Sequence, residues 1–230
     1  MQSGSNRKMP AKRIRVSILT AVITTLGMTG ALSSRATAQA PPDAPPALEA
    51  FAHAWTSVTG YTANVSVFAQ RGAQVQNIVF TYTFRKPSSF TVHVVKGPNA
   101  GVTLVWNGGP TVQASRGGGL FASLFKRTIP LHDPLVTTIG GASLDQLSYG
   151  SILAHAEQTP GTLEQTPGDP VQGTPTQVVS LVPSDPAVDA GLTRESIVIS
   201  TATQLPIRIE GYEGATLVRK IDFTDVQPVN

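Results

Sequence analysis

The stretch Asn77-Ile78-Val79-Phe80-Thr81-Tyr82-Thr83-Phe84-Arg85-Lys86-Pro87-Ser88-Ser89-Phe90 places Ile78, Phe80, Tyr82 and Phe84 at every second position and then breaks at a proline-serine joint. A period of two puts those four side chains on one face of a β-strand, and the break supplies turn chemistry. The same pattern continues beyond the joint in Phe90, Val92 and Val94, and again in Val102, Leu104 and Trp106. The chain around this stretch therefore reads as strands at about 61–70, 74–85, 89–96, 101–106 and 111–115. Arg71-Gly72, Gly97-Pro98-Asn99 and Asn107-Gly108-Gly109-Pro110 form the other joints. They are too short for crossover helices, so the strands form an antiparallel meander.

Upstream, Leu48, Phe51, Ala52, Trp55 and Val58 mark one face of a helix over 47–58, stopped by Thr59-Gly60. Downstream, 120–125 reads as a short apolar helix or turn, and 127–142 as a loop. A second helix is expected over 143–157, with Ser143 and Gln146 as the pair for a capping box. Residues 158–175 hold four prolines and three glycines and read as loop, with part of an edge strand at 162–165. Strands resume at about 176–182, 192–200, 207–210 and 215–226, the last carrying Leu217, Ile221 and Phe223. The expected fold is mainly β: a curved antiparallel sheet with helices on its concave side, since a sheet this wide curls or closes.

The first 38 residues have a different character. Five basic residues, Arg7 to Arg15, precede an apolar stretch from Val16 to about Leu32 and small residues at Ala36-Thr37-Ala38. That order is a secretory signal, and cleavage after Ala38 is preferred over Ala40 because the latter would leave Pro41 just beyond the cut. An uncleaved anchor is the other reading. Thr20, Thr24, Thr25 and Thr29 dilute it, since a spanning helix wants about twenty predominantly apolar residues. Residues 39–46 form a proline-rich lead-in, and 47–230 form the working domain. The leader takes six of the 17 basic residues and no acidic one, so the formal charge of +3 becomes about −3 beyond Ala38. No basic stripe for nucleic acid survives. The expected location is the periplasm or another extracytoplasmic space.

Catalytic constellations are absent from the pattern. With no cysteine, thiol catalysis and thiolate metal sites are excluded, and an oxidising compartment adds no disulfide. His53, His93, His132 and His155 share no metal-ligand spacing. His132-Asp133 lacks a serine in a nucleophile elbow, and Gly117-Gly118-Gly119 is followed by Leu120-Phe121 where a phosphate loop needs Lys-Ser/Thr. Glu195 lies among polar strand residues, and Asp222 and Asp225 point to opposite faces. No cofactor and no enzymatic activity are expected. The strand faces remain: they either build a core against the two helices or leave an apolar pocket between sheet and helices.

Ser57-Val58-Thr59-Gly60-Tyr61-Thr62-Ala63-Asn64-Val65, Phe84-Arg85-Lys86-Pro87-Ser88-Ser89-Phe90, Val105-Trp106-Asn107-Gly108 and the closing Leu205-Pro206-Ile207-Arg208-Ile209 with Leu217-Val218-Arg219 and Phe223-Thr224-Asp225-Val226 resemble the LolA-like family of periplasmic lipoprotein carriers. The resemblance implies an incomplete β-barrel of about eleven strands, closed by lid helices drawn from the segment Phe121 to Ala156, around a cavity for acyl chains. The implied lining is Trp55, Ile78, Phe80, Tyr82, Phe84, Phe90, Val92, Val94, Leu104, Trp106, Leu120, Phe121, Phe125, Leu144, Leu147, Ile221 and Phe223. Arg85 would be the polar residue at the cavity or its gate, although the order Arg85-Lys86-Pro87 is swapped relative to the family's usual Lys-Arg-Pro. The function so implied is binding or transport of a lipid, a lipoprotein acyl chain or another long apolar ligand by a monomer with at most transient membrane contact. The alternative is a non-catalytic envelope sensor or scaffold of the same fold that binds a protein partner through a strand edge.

Overall fold

A computed structural model describes residues 44–117 and 126–229. The leader lies outside the described residues, as do Leu120, Phe121 and Phe125. The described part begins with helix α1 (Pro46–Thr56), whose proline in the first turn has no amide that the helix would need. Strands β1 (Gly60–Arg71), β2 (Gln74–Arg85), β3 (Ser89–Lys96), β4 (Val102–Trp106), β5 (Thr111–Arg116) and β6 (Lys126–Pro130) then run as a meander. A segment without long regular elements follows, ending in a 3-10 turn, Leu144–Leu147, and helix α2 (Tyr149–Gln158). The second meander is β7 (Gly161–Val171), β8 (Thr174–Pro183), β9 (Arg194–Ser200), β10 (Pro206–Glu213) and β11 (Thr216–Val229), with a 3-10 turn at Pro186–Asp189 before β9.

All eleven strands form one antiparallel sheet in the order β6-β5-β4-β3-β2-β1-β11-β10-β9-β8-β7. The first meander thus walks from the centre to one edge. The chain crosses the concave face through the 3-10 turn and α2, and the second meander returns from the other edge until β11 closes on β1. Offsets in register at Thr62/Asn64, Val79/Phe80 and Gly211/Tyr212 bend the strands locally. The expected open, curved sheet with helices on one face is the one observed.

Three expectations on the elements need correction. The second helix does not begin at Ser143: Ser148 interrupts it, its hydroxyl accepting the Ser151 amide at 3.0 Å as an N-cap, so that α2 starts at Tyr149. Gln146 does accept the Ser143 amide at 3.0 Å, but it closes a single 3-10 turn. Residues 161–171, read mostly as loop, are strand β7, paired to β8 from Gly161↔Pro183 to Val171↔Thr174. Likewise Lys126–Pro130, at the margin of a predicted loop, is strand β6. Both are edge strands, where one side of the backbone needs no partner and prolines such as Pro167 and Pro170 are tolerated.

The core gathers where the helices meet the sheet. Leu48, Phe51 and Trp55 of α1 and Tyr149 and Ile152 of α2 are buried against Tyr61, Phe84 and Phe223. Tyr61 and Tyr149 stack with centroids 4.1 Å apart, and Trp55 meets both edge-on at 6.2 and 6.0 Å. Offset and edge-to-face contacts of this kind add about 0.5–1.5 kcal/mol each to their area burial. Among the described residues no helix is long and apolar enough to cross a membrane.

Candidate functional site

The concave face divides into an aromatic floor and an apolar void. Trp55, Tyr82, Phe84, Phe90, Trp106 and Phe223 belong to the floor: all are buried, and rings from Trp55 through Phe84, Tyr82 and Phe90 to Trp106 form a continuous series of contacts at 5.2–6.5 Å. Ile78, Phe80, Val92, Val94, Leu104 and Ile221 lie further along the same faces and line a void of about 40 Å³. Leu144 and Leu147 of the 3-10 turn close it from above, together with Leu135, Val136, Thr137 and Thr138. Strand parity identifies the face. The division along it depends on where the helices sit, and that is set by tertiary packing.

The covering segment, 131–147, is held by side chains that rise from the sheet. Tyr61 donates its hydroxyl to the Leu147 carbonyl at 2.9 Å, and Tyr82 donates to the Leu144 carbonyl at 3.2 Å. From the side, the Ile139 amide donates to Gln76 Oε1 at 3.1 Å. Burial raises the pKa of both tyrosines well above the usual phenol value, so the hydroxyls stay protonated donors. The segment covers the void and is fastened by these hydrogen bonds and by leucine contacts.

Arg85 is exposed, on the side of β2 opposite Tyr82 and Phe84, and does not reach the void. Its neighbour Lys86 turns inward instead. The Lys86 ammonium lies 4.1 Å from the centre of the Trp55 ring and donates to the Trp55 carbonyl in the last turn of α1. Exchanging the two basic residues exchanges their faces, and burial lowers the Lys86 pKa. Lys86→Met is expected to cost about 1–2 kcal/mol through the lost cation–π contact and the uncapped carbonyl. Urea unfolding measures it, and a loss below a few tenths would remove Lys86 from the anchoring of α1.

A second, polar constellation lies beneath α2. His155 of α2, Asp189 of the 186–189 turn, Glu195 of β9 and Arg219 of β11 converge beside a cavity of about 400 Å³. His155 Nε2 is 3.3 Å from Asp189 Oδ1 and 3.8 Å from Glu195 Oε1, while Arg219 Nη2 donates to Glu195 Oε2. Asp189 and Glu195 are 6% and 3% exposed. The Asp189 carboxylate raises the pKa of His155 against the opposing effect of burial. Burial raises that of Glu195, with Arg219 and His155 pulling it back. No local spacing could reveal this group, because positions 155, 189, 195 and 219 come from four elements. The available signal was Glu195 itself, a carboxylate sharing a strand face with Ile197 and Ile199.

No protein-family model and no curated protein sequence matches the chain. Among solved structures it is similar to the Mycobacterium tuberculosis lipoprotein LppX, at 14% identity and a TM-score of 0.44 over 81% of this chain and 99% of that one. It is similar to LprF from Mycobacterium bovis at 15% identity and a TM-score of 0.44, over 84% of this chain and 97% of that one. A LolA superfamily protein from Nitrosomonas europaea is similar at 11% identity and a TM-score of 0.35, over 80% and 92%. These are similarities of backbone arrangement at low identity, and what this chain binds is a matter for its own residues.

Proposed function

We propose that the protein binds, and carries through an extracytoplasmic space after loss of the leader 1–38, a lipid or another long apolar molecule held on the concave face beneath the 131–147 lid. The observation that supports this reading is the void itself. It is apolar, lies against a continuous aromatic floor, and is covered by a segment fixed through two tyrosine hydroxyls. At about 40 Å³ it is far below the 300–1,000 Å³ or so of ordinary ligand pockets. Binding therefore requires the lid to lift. Burial of hydrocarbon contributes about 0.8 kcal/mol per methylene, so roughly ten methylenes would offset a lid displacement of about 8 kcal/mol without any charged contact.

Native mass spectrometry of protein purified from its host's envelope tests this, with a bound species of lipid mass as the expected result. A uniformly ligand-free protein that also refuses a fluorescent fatty-acid probe would overturn it. Tyr82→Phe removes one lid anchor while keeping the ring, and is expected to speed probe uptake several-fold for a loss of about 1 kcal/mol in stability. The alternative, a partner strand added at a sheet edge, has less support at β7, where Pro167 and Pro170 remove two backbone donors.

A further inference from the structure

We propose that His155, Asp189 and Glu195 form a three-ligand site for a divalent transition-metal ion of zinc type, with its fourth position open to the cavity beneath α2. The ligand atoms all lie within 4.8 Å of one another. Tetrahedral zinc with bonds of about 2.0–2.1 Å sets its ligand atoms about 3.3–3.5 Å apart. The separations from His155 Nε2, 3.3 Å to Asp189 and 3.8 Å to Glu195, lie near that range. They are longer than the 2.7–2.9 Å or so of a charge-assisted hydrogen bond.

The unpartnered atoms point the same way. His155 Nε2 and Asp189 Oδ2 are shut off from solvent and have no hydrogen-bond partner, although Asp189 as a whole is 94% buried. Buried polar atoms are normally satisfied; Arg219 Nε is a third orphan in the cluster, but it is a donor, and the nitrogen and oxygen of His155 and Asp189 are the two that call for a cation between them. The surrounding groups have the arrangement of an outer shell. Thr159 Oγ1 lies 3.2 Å from His155 Nδ1, which orients the ring with Nε2 toward the carboxylates. Arg219 holds Oε2 of Glu195 and leaves Oε1 free. With a neutral imidazole, two carboxylates face one guanidinium, and the excess negative charge in this buried place favours a cation. Nitrogen and oxygen donors together suit zinc and its first-row neighbours better than calcium or magnesium. Three protein ligands beside a cavity of about 400 Å³ leave one coordination position for water or a ligand's polar group. Because the ligands come from α2, the 186–189 turn and β9, the ion would also clamp the covering helix to the sheet.

The test is calorimetric titration of the chelator-treated, full-length protein with Zn²⁺ alone, followed by thermal unfolding with and without the ion. One equivalent is expected to bind, with a rise in Tm. Asp189→Asn and His155→Gln, each near in size to the native residue, are expected to weaken binding by more than about tenfold and to lose the rise in Tm. Co²⁺ bound in place of Zn²⁺ should give the visible absorption of a four-coordinate ion. Absence of saturable binding by the wild-type protein would overturn the proposal and leave a proton on His155 as the occupant. Binding unchanged in both variants would overturn it by placing the ion elsewhere.

Discussion

Tyr149→Ala is expected to destabilise the domain by about 3–5 kcal/mol and to lower its Tm by roughly 10 °C or more. The ring is fully buried and touches every layer of the core. It stacks on Tyr61 of β1 at 4.1 Å, meets Phe51 and Trp55 of α1 edge-on at 6.0 Å each, and lies 5.5 Å from Phe223 of β11. Its hydroxyl donates to the Pro206 carbonyl at 3.0 Å at the start of β10. Tyr149 opens α2, so truncation leaves a cavity at the one point where both helices and the central strands meet, and the surrounding rings are too stiff to fill it. Tyr149→Phe separates the contributions. It keeps the ring and leaves the Pro206 carbonyl unpaired, for an expected loss of about 1–3 kcal/mol. Urea unfolding of the three proteins is the measurement. An alanine variant within about 1 kcal/mol of the native protein would show that α2 is held mainly by its other contacts.

That junction also marks the boundary of what the sequence made legible. Strands β2 and β3 were readable because their alternation is enforced on both flanks: each is paired on two sides and buried on one face, so every second residue must be apolar. The edge strands β6 and β7 were not, because little of either is buried and the pattern has nothing to enforce it. Ile78, Phe80, Val92, Val94, Leu104 and Ile221 were placed on the correct face, yet nothing in parity separates them from Tyr82, Phe84 and Phe90 nearer the helices. The separation arises where Tyr61 and Tyr82 reach the carbonyls of Leu147 and Leu144, a contact spanning 86 and 62 residues. Leu135 and Val136, which complete the cover over the void, lay in a stretch whose flanking Pro130 and Pro134 read only as loop. The polar group under α2 is an extreme of the same limitation. Its members become neighbours only through the register of the second meander and the packing of α2 and the 186–189 turn beside it.

That register leads to the other large effect. Glu195 on β9 pairs with Gly211 on β10, and Gly211 pairs with Arg219 on β11, so one row crosses three strands with a glycine in the middle. The missing side chain lets Arg219 lie across β10 to Glu195: a Cβ at Gly211 would stand 3.0 Å from Leu192 Cδ1 and 3.3 Å from Arg219 Nε. Glu195 is only 3% exposed and has given up its hydration for this one guanidinium and the more distant His155. Arg219→Met keeps most of the apolar stem but leaves the carboxylate buried beside Asp189 with no strong cation. The expected cost is about 3–5 kcal/mol, the usual result of removing one partner from a buried pair. Adding Glu195→Gln to Arg219→Met should recover much of that loss, since the penalty comes from the uncompensated charge and not from the absent bond. Gly211→Val, which replaces neither charged residue, should reproduce part of the loss by forcing Arg219 aside. Chelator in the buffer keeps a stray cation from substituting for the guanidinium during these unfolding measurements. If Arg219→Met alone proves as stable as the native protein, Glu195 does not depend on Arg219, and the row across β9, β10 and β11 is incidental to the fold.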